Sequence, residues 1–257
     1  MATRKTLIVG NWKMHLTVSE SSLLVHRLDK LIADLPPKVE VVVCPSYLAL
    51  QPLALSLDRK KFRLGAQNLY QQDEGAFTGE VSAAMLRDIV DYAIIGHSER
   101  RQHFHEKDEI ALKVSAALRN RITPILCVGE TLLERQQGET DRVLHDQLSS
   151  DLTMLTAEDL HDFVIAYEPV WAIGSGDFAR SEQVEQAVAT IRRNVEHMHD
   201  RTAARAVRVL YGGSVTPDLS LAYLRAKGVD GLLVGGASLN YQQFASIVER
   251  AKENARG

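Results

Sequence analysis

Four polar side chains stand just after short apolar runs, where a rigid frame can aim them: Asn11 and Lys13 after Thr6–Val9, His97 after Tyr92–Ile95, and Glu168 after Phe163–Tyr167. A carboxylate at the end of such a run is partly stripped of water, which is expected to raise its pKa and suit Glu168 to general-base work. His97 can exchange a proton near neutral pH, and Lys13 can set a fixed positive charge against a substrate oxygen. Taken singly, each has an ordinary reading as well: a solvated strand-end carboxylate, a structural histidine, a surface ammonium. Two glycine pairs, Gly212-Gly213 followed by Ser214 and Gly235-Gly236, end later apolar runs and precede helical segments. Backbone N–H groups without a nearby Cβ can close on a phosphate, so the pairs point to a phosphorylated ligand.

The eight residues after Glu168 are Pro169, Val170, Trp171, Ala172, Ile173, Gly174, Ser175 and Gly176. They form an apolar stretch ended by two glycines, too hydrophobic for idle surface, and read as a lid that excludes water from a bound ligand. Neither a Gly-x-x-x-x-Gly-Lys-Ser/Thr loop nor a Gly-x-Gly-x-x-Gly helix opening is present, so nucleotide cofactors lack their usual cradle. His103 and His105 have no accompanying carboxylate cluster, and no metal site is expected.

These residues need elements to position them. Eight β-rich runs recur: Thr6–Val9, Glu40–Cys44, Phe62–Ala66, Tyr92–Ile95, Pro124–Val128, Phe163–Tyr167, Val207–Tyr211 and Gly231–Val234. Each is nearly continuous in apolar residues, the signature of a parallel strand covered on both faces. Between them lie helical stripes such as Val184, Ala187, Val188, Ile191 and Val195, then Ile110, Val114, Ala117 and Leu118, and later Tyr241, Phe244, Ile247 and Val248. Thr216-Pro217 reads as an N-cap followed by proline at the first helical position. Eight βα units predict an α/β protein, a closed (β/α)8 barrel occupying 1–257 as one domain, with its active face at the strand C-termini.

Composition fits that reading. The 257 residues are 45% hydrophobic and 25% charged, with a net charge of -3. No basic surplus supports a nucleic-acid partner, and no apolar run is long enough for a membrane span. Cys44 and Cys127 sit inside apolar runs as small hydrophobes, which suits a reducing, cytoplasmic setting.

At these positions the chain resembles the triosephosphate isomerase family. The motifs stand here as Gly10-Asn11-Trp12-Lys13-Met14, Gly75-Ala76-Phe77-Thr78-Gly79-Glu80, Ile94-Ile95-Gly96-His97-Ser98-Glu99-Arg100 and Leu126-Cys127-Val128-Gly129-Glu130. They continue as Ala166-Tyr167-Glu168-Pro169-Val170-Trp171-Ala172-Ile173-Gly174, Tyr211-Gly212-Gly213-Ser214-Val215 and Leu233-Val234-Gly235-Gly236-Ala237-Ser238-Leu239. The resemblance implies a TIM barrel and the cofactor-free, reversible isomerisation of dihydroxyacetone phosphate and D-glyceraldehyde 3-phosphate through an enediolate, in glycolysis and gluconeogenesis. It implies that Glu168 moves the proton, that a neutral His97 at a helix N-terminus is the electrophile, that Lys13 neutralises charge and that Asn11 adds an amide donor. Backbone at Gly174, Ser214, Gly235 and Gly236 would hold the phosphate, and Ile173 and Leu233 would meet over Glu168 when the lid closes.

The resemblance further implies a homodimer in which the loop Gln67–Ser82, with Thr78 at its tip, enters the neighbouring subunit beside its lysine and histidine. On its own polar content that loop would read as mobile surface. Three positions depart from the family pattern: His15 at the expected interface, Ser175 in the lid, and Leu219, which carries no mechanistic consequence. Other phosphosugar barrels fit less well. A Schiff-base aldolase needs a lysine where Glu168 stands, a metal-dependent epimerase needs ligands at strand ends, and a binding scaffold needs no base.

Overall fold

The apolar runs are continuous because both faces of each strand are buried against different layers. In β1 (Thr6–Asn11), Leu7 and Val9 join the cluster filling the barrel interior, while Ile8 joins the larger layer between sheet and helices. The same alternation holds in β2 (Val39–Cys44), where Val42 and Cys44 are interior and Val41 and Val43 exterior. The computed structural model describes residues 4–32, 34–174 and 176–256. Onward from β2 come β3 (Phe62–Ala66), β4 (Tyr92–Ile95), β5 (Thr123–Val128), β6 (Val164–Tyr167), β7 (Arg208–Tyr211) and β8 (Gly231–Val234). All eight expected runs are strands, with ends shifted by at most two residues.

Each strand pairs in parallel with the next, and β8 pairs with β1, so the sheet is a closed barrel. The seam depends on a glycine. A Cβ at Gly231 would fall 1.9 Å from the Leu7 carbonyl oxygen, so any side chain there would force the first and last strands apart.

Helices cover the outside by the stripes expected. Along Ser181–Met198, Val184, Ala187, Val188, Ile191 and Val195 are all buried, each large aliphatic contributing about 1.5–3 kcal/mol of transfer free energy. The Thr216 hydroxyl accepts from the Leu219 N–H and Pro217 opens the helix Pro217–Arg225, the cap expected from sequence. Cys44 and Cys127 are unpaired and buried in the interior cluster, and burial pushes both thiols up.

Candidate active site

Alternation carries straight through the strand ends. Because Val9, Cys127, Ala166, Leu210 and Leu233 face the barrel interior, the residues two further on, Asn11, Gly129, Glu168, Gly212 and Gly235, are disposed around its C-terminal mouth. There a cavity of about 380 Å³ is lined by Asn11, Lys13, His97, Glu168, Gly174, Ser214, Gly235 and Gly236 among others. All the residues expected to act on or bind a ligand therefore meet in one place.

Glu168 is 2% exposed and makes contacts with both its oxygens. Oε1 lies 3.0 Å from His97 Nε2, and Oε2 accepts from the Ser98 N–H at 3.0 Å. Burial alone would raise this carboxyl, as the sequence reading expected. The structure reverses the sign: the His97 imidazole and the Ser98 N–H favour the carboxylate enough to hold Glu168 below its ordinary value. The expectation missed a second buried group pointing at the first.

His97 is the N-cap of the helix Ser98–His103, and its Nδ1 accepts from the Glu99 N–H at 3.2 Å. An acceptor at Nδ1 leaves Nε2 as the protonated nitrogen, so the ring donates toward Glu168. Burial opposes a charge on His97, while the Glu168 carboxylate favours one and in this resting arrangement lifts the imidazole above its usual value. When the carboxylate turns to another partner, burial, the Glu99 N–H and the Lys13 charge remain and favour the neutral ring, opposed by the Glu99 carboxylate 3.7 Å from Nδ1.

Lys13 sits at φ 51, a left-handed conformation that costs about 1 kcal/mol or more for a residue with a Cβ. Two side chains over-determine it. The Lys13 N–H donates to Asn11 Oδ1 at 3.0 Å, and Gln67 Nε2 donates to the Lys13 carbonyl at 2.8 Å and to that of Cys44 at 2.9 Å. Asn11 thus keeps its Nδ2 amide for the cavity, and the Lys13 ammonium pairs with Glu99 at the rim. A Cβ added at Gly235 would come 3.9 Å from Lys13 Nζ, and one at Gly236 would meet nothing within 4 Å, so this glycine pair leaves space for a ligand. The other pair has a different reason for its glycines. A Cβ at Gly212 would press on Glu168 Cγ at 3.0 Å, and one at Gly213 would collide with the Tyr211 hydroxyl.

The first half of the lid is pinned. Val170–Ala172 is a single 3-10 turn whose Trp171 indole donates to Glu130 at 3.0 Å, while Tyr167 and Arg135 also hold that fully buried carboxylate. The Ala172 carbonyl accepts from both the N–H (2.9 Å) and the hydroxyl (2.6 Å) of Ser214. Ser214, expected as a phosphate donor, is therefore engaged by the lid here. Gly174 and Gly176 take positive φ, Ile173 and Leu233 both line the cavity with Glu168, and Ser175 lies outside the described residues.

Thr78 is exposed at the tip of a loop whose base is fastened by Tyr70–Val81 backbone pairing and by Asp73 bound to Arg119 and Asn120. His15 lines the cavity rim. Phe178, which also lines the cavity, was missed because it follows the lid outside any periodic pattern. Gln67 and Glu130, also at strand ends, were missed as contributors because their partners, the Lys13 and Cys44 carbonyls and the Trp171 indole, come from other segments of the chain. Among the described residues, no group of three or more His, Cys, Asp or Glu could hold a metal ion, and no helix is long and apolar enough to cross a membrane.

The family model described as triosephosphate isomerase matches residues 6–251. Triosephosphate isomerase of Clostridium perfringens is 46% identical over 247 residues, which cover 95% of this chain and 99% of the relative. The enzyme of the same name from Clostridium novyi is 45% identical, covering 95% and 98%, and that from Alkaliphilus metalliredigens 44%, covering 95% and 99%.

Proposed function

The chain belongs to the triosephosphate isomerase family, and from that premise we propose how its own residues interconvert dihydroxyacetone phosphate and D-glyceraldehyde 3-phosphate. The proton to be moved is bound to carbon next to a carbonyl and is weakly acidic. A base alone is therefore too little, and negative charge on the carbonyl oxygen must be met as it forms.

Glu168 takes the carbon-bound proton. The C–H electron pair becomes the carbon–carbon double bond of an enediolate, and the carbonyl π pair moves to oxygen. His97 Nε2–H, which donates to Glu168 at rest, donates to that oxygen once the carboxylate turns to substrate. Lys13 and the Asn11 amide supply positive potential on the same side. The former carbonyl oxygen takes the His97 Nε2 proton, the hydroxyl on the adjacent carbon replaces it, and as that second oxygen becomes the carbonyl Glu168 returns its proton to the former carbonyl carbon. A donor of this kind is worth about 3–4 kcal/mol and acid–base catalysis about 10²- to 10⁴-fold, so the groups must act together.

The phosphate is held by the amides of Gly235 and Gly236, joined by Gly174 and Ser214. For Ser214 to contribute, the Ala172 carbonyl must let go of it, which couples phosphate binding to lid movement. A closed lid would dry the base and keep an intermediate that is prone to lose phosphate. The chain, 1–257, works as one domain, in a homodimer seated through the Thr78 loop and His15. The ordered loop base supports this, as do Met14 (95% exposed), Phe77 and Phe104, large apolar side chains facing solvent. Two buried free thiols suit a cytoplasmic location.

The observation that carries this reading is the 3.0 Å pairing of a buried carboxylate with a buried imidazole at the cavity mouth. Coupled-assay turnover of purified protein tests it with Glu168→Asp and His97→Gln. Both should lose turnover by about a hundredfold or more while keeping the fold, and wild-type rates in either would overturn the assigned roles.

A further inference from the structure

The helix Thr140–Asp151 covers the barrel with a largely polar sequence. Yet Gln147 and Asp151, four apart and so on one face, turn inward at the ends of β4 and β5. The Gln147 amide grips one residue at two points: Oε1 accepts from the Gly129 N–H at 2.8 Å and Nε2 donates to the Gly129 carbonyl at 3.1 Å. Gly129 in turn lies against the backbone of Glu168, so closely that a Cβ would be 1.8 Å from the Glu168 carbonyl oxygen.

Asp151, 2% exposed, accepts from Arg101 at 2.6 Å. Arg101 donates on to the carbonyls of Gly96 (2.7 Å) and Cys127 (2.9 Å), and Gly96 is the residue before His97. One helix face is thereby tied by hydrogen bonds to the backbone beside the base and to the backbone before the electrophile. Packing does not replace these ties. A cavity of about 110 Å³ lies behind the pair, lined by Gly96, Arg101, Gly129, Gln147 and Glu168, so released strand ends have somewhere to go.

We propose that Gln147 and Asp151 are positioning residues for the isomerisation, holding Glu168 and His97 at their working separation from the outer helix layer. The proposal rests on Glu168 as base and His97 as electrophile. If the ties are cut, Glu168 backs toward the cavity, its bonds from His97 and Ser98 lengthen, and burial is left to dominate. Its carboxyl then rises.

The test uses the full-length enzyme with Gln147→Met and Asp151→Asn, both close in volume to the native side chain. Asp146→Asn on the exposed face of the same helix serves as control, and Glu168→Gln is assayed alongside. Per folded molecule, kcat should fall about ten- to hundredfold in each inward variant while KM stays within about twofold. The Glu168 carboxyl, followed by carbon-13 NMR, should titrate at higher pH, and Asp146→Asn should change neither. A loss explained by reduced folded fraction, with an unmoved carboxyl titration, would overturn the proposal, as would wild-type kcat in both inward variants. If those results came with an inactive Glu168→Gln, only the brace would fall. An active Glu168→Gln would instead overturn the base assignment.

Discussion

Gly129→Ala is the sharpest test of how the base is held. No left-handed backbone is needed at Gly129, so alanine meets no conformational objection there, and its methyl acts only through contact. The new Cβ would lie 1.8 Å from the carbonyl oxygen of Glu168, 2.5 Å from its carbonyl carbon and 3.3 Å from its Cα, all backbone atoms that cannot rotate away. Ordinary contact begins near 3.4 Å, so β5 and β6 must part by about 1.5 Å at their ends, against the 2.8 Å bond from the Glu168 N–H to the Val128 carbonyl. A displacement of about 1 Å at a reacting group costs about 10²-fold in rate, near 2.7 kcal/mol. Gly235 and Gly236, the amides proposed to hold the phosphate, follow β8, away from the parted strands, so KM should change far less than kcat. The coupled isomerase assay, normalised to the folded fraction by circular dichroism, reads this directly. A kcat within about twofold of wild type would refute the claim that backbone contact at Gly129 sets the position of the base.

Further outcomes follow from the same contacts. Because His97 and Ser98 hold the Glu168 carboxyl below its ordinary value, carbon-13 NMR of the free enzyme should find it ionised until pH falls below the usual carboxylate range of about 4. The stability this carboxylate contributes is complete above that range and is lost as pH falls through the folded-state pKa; His97→Gln should move the carboxyl's titration upward. Trp171→Phe removes a donor to the buried Glu130 carboxylate, a bond of about 1.5–3 kcal/mol, while Tyr167 and Arg135 remain. The loosened lid should raise the share of turnovers that release inorganic phosphate, and an unchanged share would count against the lid's protective role. Thr78→Arg should lower the sedimenting mass to that of one chain and reduce activity at low protein concentration; a dimer unaffected in both would discount the loop as its seat.

The barrel was legible because burial on both faces leaves an unmistakable trace. Runs such as Phe163–Tyr167 alternate between two apolar layers and so never break, and the same alternation aims Glu168 into the mouth. Closure was the harder step, since nothing in the runs themselves says that Gly231 must let the Leu7 carbonyl come close. At the site, Asn11, Lys13, His97 and Glu168 could be named because each stands within two residues of a strand end. Gln147, Asp151 and Arg101 could not, for polar residues on a helix look the same in sequence whether they meet water or a strand end. The sign of the Glu168 shift was misjudged for a related reason: burial is visible in the run that precedes it, whereas the His97 ring 3.0 Å away is supplied by a distant strand.

The central claim is that Glu168 carries a proton between two adjacent carbons of a triose phosphate at the barrel mouth. Turnover in deuterium oxide, followed by proton NMR, tests it most directly. Wild-type protein should form product bearing solvent deuterium at the carbon that receives the proton, because a carboxyl exchanges with solvent, and Glu168→Gln should neither convert substrate nor wash in deuterium on that timescale. Deuterium entering at the wild-type rate in Glu168→Gln would contradict the account.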